Sequence, residues 1–152
     1  MTSNSRSAIE HLDRATCEAI LKRHRVGRLA FTFHDRVDIE PINYVFATDW
    51  IYLRTSDGTK LHTLQHHPWT AFEVDEASGL HDWRSVVVHG TFRQFDALGI
   101  PTEREHYERA LVALRTVSET ILTGLDVFPE RKMVCGIAIT EMQGRAVSSL
   151  KM

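Results

Sequence analysis

Cysteine is scarce in this sequence. Only Cys17 and Cys135 occur, far apart and at no metal-ligand spacing, which excludes a disulfide framework and a thiolate metal cluster. The expectation is two reduced, mostly buried thiols in a reducing, cytoplasmic setting. Charge of one sign is also missing. Eighteen Lys and Arg stand against twenty Asp and Glu, a formal net charge of −2, so no polyanion-binding face is expected and nucleic acid is an improbable partner. No apolar run approaches the ~18 residues of a membrane-spanning helix. The polar segment Met1–Ser7 carries no apolar stretch behind Arg6, so no signal peptide is expected there. Catalytic signatures are absent too: there is no G-x-S-x-G elbow, no P-loop and no G-x-G-x-x-G after a strand.

What is present is an ordinary globular composition, 43% hydrophobic and 25% charged over 152 residues, which suits one domain. The boundaries expected are a flexible N-terminus over 1–10 and a single domain over 11–152. Asp13 is a candidate helix cap. Cys17, Ile20, Leu21 and His24 recur at one helical face, and Gly27 is the expected stop. From Arg28 the period changes to two. Leu29, Phe31 and Phe33 alternate with polar or small residues, followed by a turn at His34–Arg36. The next strand, 37–47, shows its apolar residues at odd positions before Pro41 and even positions after it, which predicts a bulge or bend at the proline.

Trp50–Thr55 is a third strand, and Thr59 to about His66 a short helix ended by Pro68. Strands follow over 69–75 and 82–95. A long helix is predicted from Pro101 to a stop at Gly124, and a strand from Met133 to Glu141. A turn at Gln143-Gly144 and a short strand over 145–149 complete the chain. Short turns between early strands imply antiparallel pairing. The predicted fold is mainly β: a six- to seven-stranded antiparallel split β-barrel with flanking helices.

One segment stands out chemically. At Arg54-Thr55-Ser56-Asp57-Gly58-Thr59-Lys60 a strand runs through a hydroxyl-rich turn into a helix. Free N–H groups at a helix start form an anion site. Arg54 offers a fork for phosphate oxygens, Lys60 a point charge, and Thr55, Ser56 and Thr59 hydroxyl donors. An ordinary surface turn, with Arg54 paired to Asp57 or Glu73, uses the same residues equally well. In Pro41-Ile42-Asn43-Tyr44 a strand bend can expose backbone to a flat heterocycle. Asn43 would then reach a ring carbonyl and Tyr44 pack against the ring. A proline-marked edge strand with a core tyrosine fits the same residues. Trp83 and Ser85 share one face of a strand. His62 and His66 sit at i, i+4, but no further metal ligand stands at a telling distance, and no metal is expected.

Taken in order, these segments resemble the pyridoxamine 5′-phosphate oxidase-like family of FMN-binding split barrels, in its general flavin-nucleotide-binding and nitroimidazole-reductase-like branch. The resemblance is carried by Val26-Gly27-Arg28-Leu29-Ala30-Phe31, Pro41-Ile42-Asn43-Tyr44, and Ile51 to Thr55 with Gly58-Thr59-Lys60-Leu61. Ala71 to Asp75, Trp83 to Gly90 and Gly144-Arg145 continue it. It implies a homodimer with two FMN molecules between subunits. Arg54, Thr55, Ser56 and Lys60 would hold the phosphate, and Pro41 to Tyr44 would lie along the isoalloxazine. Trp83, Ser85 and Val86 would approach from the partner subunit, with Arg145 nearby. The substrate-phosphate residues of true pyridoxamine phosphate oxidases do not map onto this chain. The implied activity is an FMN-dependent oxidoreductase acting on a small-molecule substrate with a separate electron donor. The alternatives are a non-catalytic flavin-binding or storage protein, a haem-binding split barrel and a deazaflavin-dependent one.

Overall fold

The computed structural model describes residues 8–148. The first strand, β1, is Ala8–Leu12, and Asp13 caps helix α1, Arg14–Arg23, by accepting from the Thr16 amide at 2.8 Å. Strands β2 (Val26–Phe33), β3 (Arg36–Asn43), β4 (Val45–Ala47) and β5 (Trp50–Thr55) follow, then helix α2, Thr59–His66. Strands β6 (Trp69–Gly79) and β7 (Asp82–Gln94) precede helix α3, Pro101–Arg115, and strand β8, Met133–Ser148. All eight strands form one antiparallel sheet in the order β3-β2-β6-β7-β8-β5-β4, with β1 on β8. The sheet curls into an open, split barrel whose two ends, β3 and β4, are not paired with each other.

The barrel is filled by inward residues of alternating strands, among them Leu29, Ile51, Leu53, Phe72, Val86, Val88 and Ile137, closed by Ile20 and Leu21 of α1 and Leu64 of α2. A second cluster lies on the other face of β5 and β8, where Ala110 and Leu114 of α3 pack on Tyr52, Phe95 and Val134. Fully burying one such large side chain stabilises by about 1.5–3 kcal/mol, so both clusters are strong anchors.

Several expectations are corrected by the fold. Residues 1–7 of the predicted flexible N-terminus lie outside the described residues, but Ala8 to Glu10 belong to β1 and pair with Ser148, Val147 and Ala146. Helix α1 stops at Arg23, and Gly27 lies within β2. It is needed there for close approach: a Cβ would fall 2.1 Å from the Phe72 ring tip. No phase flip occurs at Pro41. Asp38, Glu40 and Ile42 turn to the half-buried side throughout, Tyr44 and Phe46 continue on it, and Val37 and Ile39 face outward. Pro41 fits because β3 is an edge strand, and the break comes at Tyr44 instead.

Near the C-terminus, the predicted turn at Gln143-Gly144 is the middle of the continuous β8, which pairs with β5, β7 and β1 in succession. Gly144 again marks close approach, since a Cβ would lie 2.4 Å from Cys17 Sγ. Helix α3 ends at Arg115, not Gly124. The next segment, 116–132, is held in turns, with Leu122 at φ 59° and Arg115 Nε donating to the Ile121 carbonyl at 3.1 Å. Ile121 still reaches the second cluster, which explains why its spacing imitated a helix. No helix among the described residues is long and apolar enough to cross a membrane.

Candidate functional site

Two clefts adjoin at the end of β5. The first is polar, about 380 Å³, and lined by Glu40 to Asn43 of β3, Arg54 to Asp57, Lys60 and Arg131. The second is apolar, about 310 Å³, and lies under the 116–132 segment and the C-terminal end of α3. Asn43, Arg54 and Arg131 line both.

The polar cleft gathers most of the residues that the sequence singled out. Pro41, Ile42 and Asn43 form one wall, and Arg54, Thr55, Ser56 and Lys60 the other. The cleft opens beside the start of α2, where Gly58 occupies the cap position without a side-chain cap and His62 donates to the Gly58 carbonyl at 3.1 Å. The N–H groups of the first turn are therefore left for another acceptor. Thr59 is exposed and does not line the cleft.

The two cations of the motif are in different states. Arg54 is spent on Asp126. Its Nη1 and Nη2 donate to the two carboxylate oxygens, at 2.5 and 2.9 Å, in a pair whose side chains are 11% and 3% exposed. Asp126 also accepts from the amides of Leu122 at 2.8 Å and Phe128 at 3.0 Å. Arg54 and these two amides hold its carboxyl far below the usual carboxylate range. Arg54 thus anchors the 116–132 segment, and its partner is neither Asp57 nor Glu73. Lys60 bonds Glu40 at 2.9 Å, but Lys60 is 26% and Glu40 44% exposed. A pair this exposed is worth about 0–1 kcal/mol, less than a charge-assisted bond to phosphate, so Lys60 is available to an anion.

Tyr44 is a core residue that also lines the floor of the apolar cleft. It is 2% exposed and its hydroxyl donates to the Leu21 carbonyl at 2.7 Å, closing one of the unpaired carbonyls at the end of α1. Burial pushes its phenol well above the ordinary value. Trp83, Ser85, Val86 and Arg145 lie on β7 and β8, away from this chain's cleft. Ser85 faces Arg145 across the ladder and donates to Glu73 at 3.3 Å. Val86 points the other way, into the barrel, at 0% exposure, so its side chain is not available to any ligand. Neither cysteine is a nucleophile candidate: both are buried, and burial pushes the Cys135 thiol up to about 12.

Three residues with a part in the two clefts carried no sequence signal: Asp126, Arg131 and Arg25. Arg131 stacks on Phe128, 4.4 Å from its ring centroid. Among the described residues neither Arg25 nor Arg131 is paired with a carboxylate, in contrast to Arg54.

This split barrel has relatives. The chain matches the pyridoxamine 5′-phosphate oxidase family over residues 13–146. It belongs to that family. An uncharacterized protein of Rhizobium meliloti, RA0666, is 26% identical over 98 residues; the match spans 64% of this chain and 62% of that protein. The crystal structure of a FAD-binding protein of Mesorhizobium loti superimposes with a TM-score of 0.74 at 24% identity, covering 92% of this chain and 99% of that one. The FAD-binding protein of Mycobacterium smegmatis gives a TM-score of 0.62 at 22% identity, over 91% and 99% of the two chains. At these identities the structural likeness establishes the shared fold.

Proposed function

We propose that this family member is an FMN-binding flavoprotein that works as an oxidoreductase on a small molecule, taking electrons from a separate donor. The polar cleft is the observation that carries the reading. It offers a phosphate the free N–H groups of α2, the hydroxyls of Thr55 and Ser56, the exchangeable ammonium of Lys60 and the unpaired guanidinium of Arg131. Arg54 shapes this wall while bound to Asp126 and contributes little free charge. Pro41, Ile42 and Asn43 offer an extended backbone edge, and the Asn43 side-chain amide, to a flat ring. A flavin bound there supplies hydride or electron transfer at ring N5, and the chain's own residues bind, orient and shield it.

On this reading the protein acts as a homodimer. The outward face of β2, β3 and β6 carries Val26, Val37, Ile39 and Trp69, each more than half exposed, which is the surface that a second copy would cover. The partner's ring-side contacts would come from its β7 and β8. The two buried, unpaired thiols support a cytoplasmic placement.

The test is a visible absorption spectrum of the purified protein with FMN or FAD added, since two structural neighbours are named FAD-binding proteins. Saturable flavin bands bleached by a reductant, with FMN bound more tightly, are expected. Tighter FAD binding would replace the nucleotide, and no flavin binding would end the reading.

A further inference from the structure

The apolar cleft beside the polar one is not needed to hold a phosphate, and its construction is that of a ligand pocket. Tyr44, Leu114 and Ile121 form a buried floor. Val117, Val127 and Phe128 stand at its rim with 45%, 76% and 42% of their surface exposed, so the apolar lining continues from the floor to the mouth of the cleft. Ligand pockets run from about 300 to 1,000 Å³, so a volume of 310 Å³ suits a molecule of one or two rings.

Charge decides the class. Three cations and one carboxylate line the cleft: Arg25, Arg54, Arg131 and Asp126. Arg54 and Asp126 cancel each other in a two-pronged pair. That leaves Arg25 and Arg131, neither paired with a carboxylate among the described residues, across an apolar floor. Such a pocket favours an anionic group on an apolar body and disfavours a cation.

We propose that this cleft binds a small, flat, apolar molecule carrying one anionic group, such as an aromatic carboxylate. Because Asn43, Arg54 and Arg131 wall both clefts, its occupant lies against whatever fills the polar one. Its role as the molecule that the flavin acts on rests on the proposed function; its binding does not.

Isothermal titration of the full chain with 2-naphthoate and with neutral 2-naphthamide tests the proposal. The variants are Val117→Trp and Arg25→Gln, because both residues are exposed and line only the apolar cleft. Saturable naphthoate binding is expected, weakened at least fivefold by either variant. Naphthamide should bind more weakly, respond to Val117→Trp and ignore Arg25→Gln. Saturation with FMN should leave naphthoate binding in place. No naphthoate binding, binding indifferent to Val117→Trp, or equal loss of both ligands in Arg25→Gln overturns the proposal. So does one-for-one release of naphthoate by FMN, which would give the cleft to the flavin ring. Naphthoate binding in a protein that takes up no flavin would keep the pocket and remove the cofactor reading.

Discussion

Replacing Tyr44 by phenylalanine tests the buried hydroxyl that ties it to α1. The substitution removes one hydroxyl, buried to 2% exposure, and leaves the Leu21 carbonyl at the end of α1 without its donor. An unsatisfied buried acceptor costs about 1–2 kcal/mol at neutral pH. For a domain of this size that is a fall in Tm of about 2–8 °C. The deficit should also depend on pH. Burial raises the folded-state phenol above its ordinary value, so the unfolded chain loses its proton first, near pH 10. Tyr44 therefore contributes its full stability below about pH 10, and that contribution falls as pH rises toward the folded value. Linkage removes about 1.4 kcal/mol from the wild type by pH 11 and nothing from the phenylalanine variant at this site. The other buried groups that titrate in alkali, Cys135 among them, are common to both proteins and cancel. Urea denaturation at pH 7, 9, 10 and 11 measures the difference. The gap between the two proteins should close from about 1–2 kcal/mol to near zero, with flavin affinity unchanged at neutral pH. A gap constant across the series, or a loss of flavin binding without loss of stability, would refute the buried-hydroxyl role.

Asp126→Asn should free Arg54 and loosen the 116–132 segment. Hydrogen exchange at the Leu122 and Phe128 amides should accelerate while the barrel strands stay protected, and unchanged exchange there would contradict the anchor. Lys60→Ala should weaken FMN binding at least tenfold, since a charge-assisted bond is worth roughly 1.5–3 kcal/mol, without lowering Tm by more than a degree or two; flavin fluorescence quenching reads the affinity. Glu76 is held down at about 2 by Arg23, with His24 adding a further bond. A lowered carboxylate contributes stability above its unfolded value near 4.5 and loses it as pH falls toward 2. Glu76→Gln should therefore cost about 1 kcal/mol at pH 7, after allowance for solvent screening, and about a quarter of that or less at pH 2–2.5 in acid-unfolding curves.

Local chemistry was legible in the chain. The Asp13 cap, the short helix after Gly58 and the antiparallel run of strands all follow from spacing and cap preference, interactions within a few residues. The polar turn from Arg54 to Lys60 was legible for the same reason, and it forms one wall of the polar cleft. Gly27 and Gly144 read in the sequence as ends of elements, yet each lies inside a strand. In sequence, a glycine that ends an element looks the same as one that makes room for a neighbour, and the neighbours, Phe72 and Cys17, come from distant segments.

What only the tertiary structure decided is which groups meet across the chain. Arg54 and Asp126 are 72 residues apart, and no spacing rule joins them; only the return of 116–132 over β5 does. That return makes Arg54 an anchor for the segment; among the described residues lining the clefts, Arg25 and Arg131 are left without a carboxylate partner and Lys60 keeps only an exposed pair with Glu40. The outward turn of Val37 and Ile39 was likewise hidden, because alternation gives two faces but not which of them meets the core. Periodicity is a property of the local backbone and is written in the sequence. The identity of a side chain's partner depends on sheet register and loop path, which the whole chain settles at once.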